Sequence, residues 1–129
     1  MNGRSSQLTA AEWQVMECLW ERSPRTGRET VDWLEKRVGW KRSTTLTLLR
    51  RLEDKGAVES VTEDGIKAFC PRIAREDAAM EEAENLLSRA YRGSVSLMVS
   101  ALTRKQSLSQ AEIDALHALL DGLEAEKRD

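Results

Sequence analysis

The side chains able to do covalent or metal chemistry are few and far apart. Cys18 and Cys70 stand 52 positions apart, and His117 is the single histidine. No familiar zinc-ligand spacing can be assembled from these in one chain. The two thiols read as semi-buried cysteines in a reducing compartment, where a disulfide is disfavoured. Nucleophilic catalysis needs a base beside a Ser or Cys. His117 instead falls in the last helical stretch beside a leucine seam, far in sequence from either thiol, and reads as a surface or interface residue. There is no Gly-x-Ser-x-Gly elbow and no Walker loop. The carboxylates Glu76, Asp77, Glu81, Glu82 and Glu84 read as a solvated helix face. No enzyme, catalytic residue, metal or cofactor is expected. What remains is a constellation suited to recognition. Thr44, Thr47 and Arg51 lie at i, i+3 and i+7, on one stripe of a helix. An arginine can take the O6 and N7 of guanine bidentately, and a threonine can meet a thymine methyl or a phosphate. Lys41, Arg42, Arg50 and, further on, Lys67 suit phosphates, which position a protein on a duplex without reading its sequence.

Those residues need elements to hold them. Leu8-Thr9-Ala10-Ala11-Glu12-Trp13 carries a capping box, Thr9 with Glu12, and a hydrophobic staple, Leu8 against Trp13, so a first helix opens there and ends at Ser23-Pro24. Thr26 and Glu29 repeat the box. A second helix follows with Val31, Leu34 and Val38 on one stripe, closed by Gly39. The third helix is predicted from about Ser43 to Lys55, ended by Gly56. Leu48, Leu52, Thr45, Leu49 and Leu46 cover its apolar arc, while Ser43, Thr44, Thr47, Arg50, Arg51 and Lys55 share the other with Asp54. Residues 57–62 and 66–71 then alternate as a β-hairpin around Asp64-Gly65. Long helices follow: 74–92, closed by Gly93; a short one from Ser94; and a last one from Ser109. Their seams carry Leu87, Leu97, Leu102, Ile113, Leu116, Leu120 and Leu123. Such narrow seams in some 55 residues cannot build a generous core, so a second copy of the chain is expected to cover them.

The expected architecture is mainly α with a small β-hairpin wing: an N-terminal winged helix-turn-helix domain over 1–73 and a C-terminal helical dimerisation domain over 74–129, joined at the Pro71–Arg75 junction. A length of 129 residues allows one ordinary domain or two very small ones. The formal charge of −2 argues at first against nucleic acid. Resolved along the chain, residues 1–73 hold 13 Lys+Arg against 11 Asp+Glu, and residues 74–129 hold 7 against 11. Residues 22–55 alone hold 10 against 5, so the basic excess coincides with the second and third helices. No stretch of 18 apolar residues and no secretory signal is present, so a cytoplasmic protein without membrane insertion is expected.

Glu12-Trp13-Gln14-Val15-Met16 with Trp20, and Thr44-Thr45-Leu46-Thr47-Leu48-Leu49-Arg50-Arg51-Leu52-Glu53-Asp54-Lys55-Gly56, resemble the signature of the BlaI/MecI family of penicillinase and methicillin-resistance repressors. Tyr91-Arg92-Gly93-Ser94-Val95-Ser96-Leu97 and Leu108-Ser109-Gln110-Ala111-Glu112-Ile113 resemble that family's dimerisation region, so the likeness covers about residues 8–124. It implies a homodimeric repressor of antibiotic-resistance genes that binds double-stranded operator DNA of dyad symmetry. It further implies inactivation by cleavage once a membrane sensor-protease detects a β-lactam. The family's base-contact helix maps onto Ser43, Thr44, Thr47 and Arg51. Ser43 and Leu46 stand where the best-known members carry a Lys and an Arg, a departure that bears on operator preference. The cleavage position, Asn-Phe in those members, maps onto Ser100-Ala101, a departure that bears on induction. A sister branch senses copper through C-terminal cysteines, and the tail from Leu123 has none.

Trp13, Trp20, Trp33 and Trp40 read as core or hinge packing. The alternative is a small-molecule-responsive winged-helix regulator with a ligand pocket between domains. A ligand-induced shift in operator affinity would favour that alternative, and loss of binding only after proteolysis would favour the sensor-protease route.

Overall fold

A computed structural model describes residues 7–105 and 107–128. Helix α1 (Ala10–Glu21) starts as its capping box requires. The Thr9 hydroxyl accepts from the Glu12 amide at 3.1 Å, and the Glu12 carboxylate accepts from the Thr9 amide at 2.8 Å. A two-residue strand β1 (Arg25–Thr26) precedes α2 (Gly27–Val38), where Thr26 and Glu29 form the same reciprocal pair. Gly39 closes α2 in the left-handed conformation, its amide donating to the Leu34 and Glu35 carbonyls. Helix α3 (Arg42–Lys55) begins one residue earlier than its polar pattern suggests. Its N-cap, Lys41, makes no side-chain capping bond, so no sequence signal marks that end.

Strands β2 (Val58–Glu63) and β3 (Ile66–Pro71) form the expected hairpin, paired from Val58↔Pro71 to Glu63↔Ile66. Asp64 and Gly65 both take positive φ, 53° and 78°, the type I′ geometry that matches strand twist. The sheet has three strands rather than two, in the antiparallel order β1-β3-β2, with Arg25↔Phe69 and Thr26↔Ala68. Two residues are too few for an alternating pattern, so β1 leaves no trace in the sequence. Arg25 lies buried there, its guanidinium held by the Glu21 carboxylate and the Arg22 carbonyl.

Val15, Met16 and Leu19 of α1, Leu34 of α2, and Leu48, Leu49 and Leu52 of α3 meet Ala57, Val58 and Phe69 in one core. Val38, placed on the α2 stripe by spacing, ends up exposed in the last turn. This order of three helices and a hairpin, with the hairpin edge closed by β1, is a winged helix-turn-helix.

Helices α4 (Arg75–Tyr91), α5 (Val95–Lys105) and α6 (Gln110–Arg128) complete the described chain. The compact units divide between Glu84 and Asn85, inside α4 and later than the Pro71–Arg75 junction. The junction is occupied by contacts. The Trp20 indole N–H donates to the Ile73 carbonyl at 2.9 Å, Arg75 makes two bonds to Glu17, and the Arg72 amide donates to the Ala57 carbonyl. Ala78 is buried as well. The first turns of α4 therefore belong to the winged-helix unit. In the second unit, Gly93 closes α4, Ser94 caps α5 through the Leu97 amide, and Ser109 caps α6 through the Glu112 amide. Among the described residues, neither α5 nor α6 has a buried side chain.

Candidate nucleic-acid interface

Helix α3 divides into two faces as its sequence demands. Thr45, Leu48, Leu49 and Leu52 are buried and Leu46 half-buried, whereas Ser43, Thr44, Thr47, Arg50 and Arg51 are exposed. Ser43, Thr44, Thr47 and Arg51 come together in one shallow cleft of about 400 Å³, walled by Leu48 and by Ala11 of α1. Lys41 and Arg42 are exposed where α3 begins. Among the described residues, none of Lys41, Arg42, Arg50 or Arg51 has a carboxylate within ion-pair distance. An exposed row of hydroxyls and unneutralised guanidinium groups on a helix backed by a core is the geometry for entering a major groove.

Lys67 is different. Spacing assigned it only to phosphate, yet in the folded chain its Nζ lies 3.5 Å from the Glu53 carboxylate and 5.3 Å from the centre of the Phe69 ring. The other Glu53 oxygen accepts from the Ser60 hydroxyl at 2.9 Å, so α3, β2 and β3 meet at Glu53.

A second anchor holds the opposite side of α3. Glu12 is 2% exposed and pairs with Lys55 Nζ, which also donates to the Gln7 carbonyl. Burial pushes the Glu12 carboxyl up, but the Lys55 ammonium and the Thr9 amide and hydroxyl outweigh it, and the net direction is below the usual 4.5. Lys55, which helical spacing put on the polar arc with the DNA-facing groups, is thus a tether to α1. Glu12, Glu53 and Ser60 were not legible as site residues, because their partners lie far away in the chain or on another element.

The tryptophans pack as expected. Trp13 meets Trp20 edge-on at 5.2 Å, and Leu8 packs against the core. The Trp33 N–H donates to Glu21, and Arg37 lies 4.6 Å from its ring centre. An open cleft of about 390 Å³ runs between Trp20 and Trp33, but the Arg25, Arg37 and Arg75 guanidinium groups already lie against these rings. Cys18 and Cys70 are free thiols, and burial pushes the Cys18 thiol up to about 11, which leaves almost no thiolate to react. No group of His, Cys, Asp and Glu among the described residues could hold a metal ion. No described helix is long and apolar enough to cross a membrane.

The sequence profile of the penicillinase repressor family matches residues 8–122. The chain belongs to this family. Its relatives include the methicillin resistance regulatory protein MecI of Staphylococcus aureus (strain N315), 24% identical over 121 residues that span 94% of this chain and 98% of MecI. The penicillinase repressor of Bacillus licheniformis is 30% identical over 115 residues, 89% of this chain and 90% of the repressor. Among solved structures, the monomeric form of Bacillus licheniformis BlaI in complex with the blaP half-operator matches with a TM-score of 0.51 at 32% identity. That match covers 56% of this chain and 88% of the BlaI chain.

Within the family frame, Leu46, which stands where an Arg was expected from the resemblance, turns half inward. It packs against the core, and its Cδ2 lies 3.6 Å from where a Cβ on Gly27 would sit. Ser100 and Ala101 lie within α5, Ser100 exposed and Ala101 half-buried, and the Thr103 hydroxyl donates to the Ser100 carbonyl.

Proposed function

We propose that this member of the penicillinase repressor family is a cytoplasmic homodimeric transcriptional repressor that occupies a dyad-symmetric operator and blocks a promoter. The observation that carries the reading is the α3 face. Ser43, Thr44, Thr47 and Arg51 share one exposed cleft while the opposite face is committed to the core. In this role they read base edges, and Lys41, Arg42, Arg50 and wing Lys67 hold the phosphate backbone. A relative captured on half an operator supports duplex DNA as the partner. Residues 1–73, with the first turns of α4 packed on them, serve DNA binding, and the rest of 74–129 serves dimerisation. Leu87, Leu97, Leu102, Ile113, Leu116, Leu120 and Leu123 contribute to the subunit contact. Relief comes from a membrane sensor-protease responding to a β-lactam-type signal, with the cut in the Ser100–Ala101 region of α5.

Selection of bound duplexes from a random pool, followed by gel-shift titration of wild type and Arg51→Ala on the selected site, tests the assignment. Arg51→Ala is expected to lose ~1–3 kcal/mol of specific affinity, the worth of one bidentate base contact. Unchanged binding would remove Arg51 from the reading face. Incubation with an activated membrane sensor-protease of the kind proposed would test relief. Loss of DNA binding without chain cleavage would exclude the proteolytic route.

A further inference from the structure

The wing is short of positive charge. Val58–Pro71 carries Glu59, Glu63 and Asp64 against the single cation Lys67. Within the hairpin, Lys67 is therefore the cation that can meet a phosphate backbone, and Arg72 just beyond it lies 3.8 Å from Glu59. That ammonium is already engaged, 3.5 Å from the Glu53 carboxylate at the back of the recognition helix and over the Phe69 ring. The Glu53 carboxylate is itself held in place, because the Ser60 hydroxyl of β2 donates to its second oxygen. Both partners remain partly open to water, with side-chain exposures of 55% for Lys67 and 34% for Glu53, so the pair can exchange for another anion.

We infer that Glu53 is an intramolecular competitor for the DNA phosphate. It stores the wing lysine on the recognition helix, and Lys67 leaves it for the backbone only when a duplex is bound. Docking of the wing is then an exchange of one carboxylate for one phosphate on the same ammonium, and Glu53 sets how readily the wing engages any duplex. The inference rests on the DNA-binding reading above and adds to it a positioning residue that acts through Lys67. Glu53→Gln is the matched variant, because an amide removes the charge while keeping an oxygen to accept from Ser60.

The test uses the purified full chain and fluorescence anisotropy on a short mixed-sequence duplex over a salt series. The four proteins are wild type, Glu53→Gln, Lys67→Ala and the double variant, with Tm measured alongside. Glu53→Gln is expected to bind about two- to five-fold tighter, the size of one released exposed ion pair, and the gain is lost in the Lys67→Ala background. Lys67→Ala alone should lower the slope of log affinity against log salt by about 1. A gain of equal size in both backgrounds would mean bulk charge and overturn the inference. Weaker binding by Glu53→Gln would overturn it too, because Glu53 would then be ordering the wing for DNA. If Glu53→Gln does not fold, an unchanged salt slope in Lys67→Ala is decisive alone, since the lysine then never reaches a phosphate. Absence of salt-dependent duplex binding by the wild type is a separate outcome that removes the DNA-binding reading itself.

Discussion

At the scale of single residues, two buried polar side chains in the winged-helix unit carry opposite consequences. Thr45 sits in the apolar arc of α3, and its buried hydroxyl has no hydrogen-bond partner among the described residues. The hydroxyl loses its water on folding and recovers nothing. Thr45→Val keeps the branched shape and is expected to raise stability by about 1 kcal/mol, read as a higher urea midpoint with an unchanged slope. Glu12 is the reverse case, buried but satisfied by Lys55 and Thr9. Its carboxyl is held below the usual 4.5, so the folded state binds its proton less readily than the unfolded chain. The stabilisation is complete above that usual value and is lost as pH falls through the lowered folded value. Unfolding free energy measured in urea should fall as pH is lowered below about 4.5, and Glu12→Gln should flatten that part of the profile. The variant is also less stable at neutral pH, because it leaves the Lys55 ammonium without its carboxylate.

At the scale of elements, α3 works because its C-terminal end is fixed twice over by other parts of the chain. Its C-terminus turns into the wing at Gly56, with φ 81° and its amide on the Leu52 and Glu53 carbonyls. A side chain with a Cβ is strained in that region, so Gly56→Ala is expected to cost ~1–2 kcal/mol in urea unfolding. DNA affinity should fall with it, because the same turn fixes the angle at which the wing leaves α3. Helix α1 supplies the other support through the Glu12–Lys55 pair. A helix held at that end by a turn and by an ion pair across to α1 presents its exposed row in one orientation, as the proposed base reading requires. The small strand β1 belongs to the same logic. By pairing with β3 it covers the hairpin edge, and by capping α2 with Thr26 it ties the helix-turn-helix to the wing.

At the scale of the whole molecule, the second unit leaves apolar side chains uncovered. Leu97, Leu102, Leu119, Leu120 and Leu123 are exposed, and Leu87, Ile113 and Leu116 are only half-buried. In the proposed function, a second copy would cover these leucines and supply the second reading head that a dyad operator needs. Leu116→Asp and Leu120→Asp are each expected to shift the protein to a monomer in light scattering, with weakened binding to a full operator. A dimer that survives both substitutions would take α6 out of the contact. The charge division fits two different duties, because the basic excess lies in residues 22–55 and the acidic excess after residue 73.

What was legible in the sequence is local. The capping boxes at Thr9 and Thr26, the Asp64-Gly65 turn, the glycine stops and the two faces of α3 depend on residues within a turn or two of one another. Helical and strand periodicity state them outright. For that reason the winged helix-turn-helix and the row Thr44, Thr47 and Arg51 follow from spacing alone, and Ser43 joins them through the family likeness. The tertiary structure decided what long-range pairing decides. It took Lys55 from the polar arc of α3 as the partner of Glu12, placed Lys67 on Glu53, and gave Arg25 and Thr26 a strand to join. It also divides the compact units inside α4, at a point with no proline or glycine to mark it. Charged side chains at distant positions carry no periodic signal, and their partners are chosen only when the core brings their elements together.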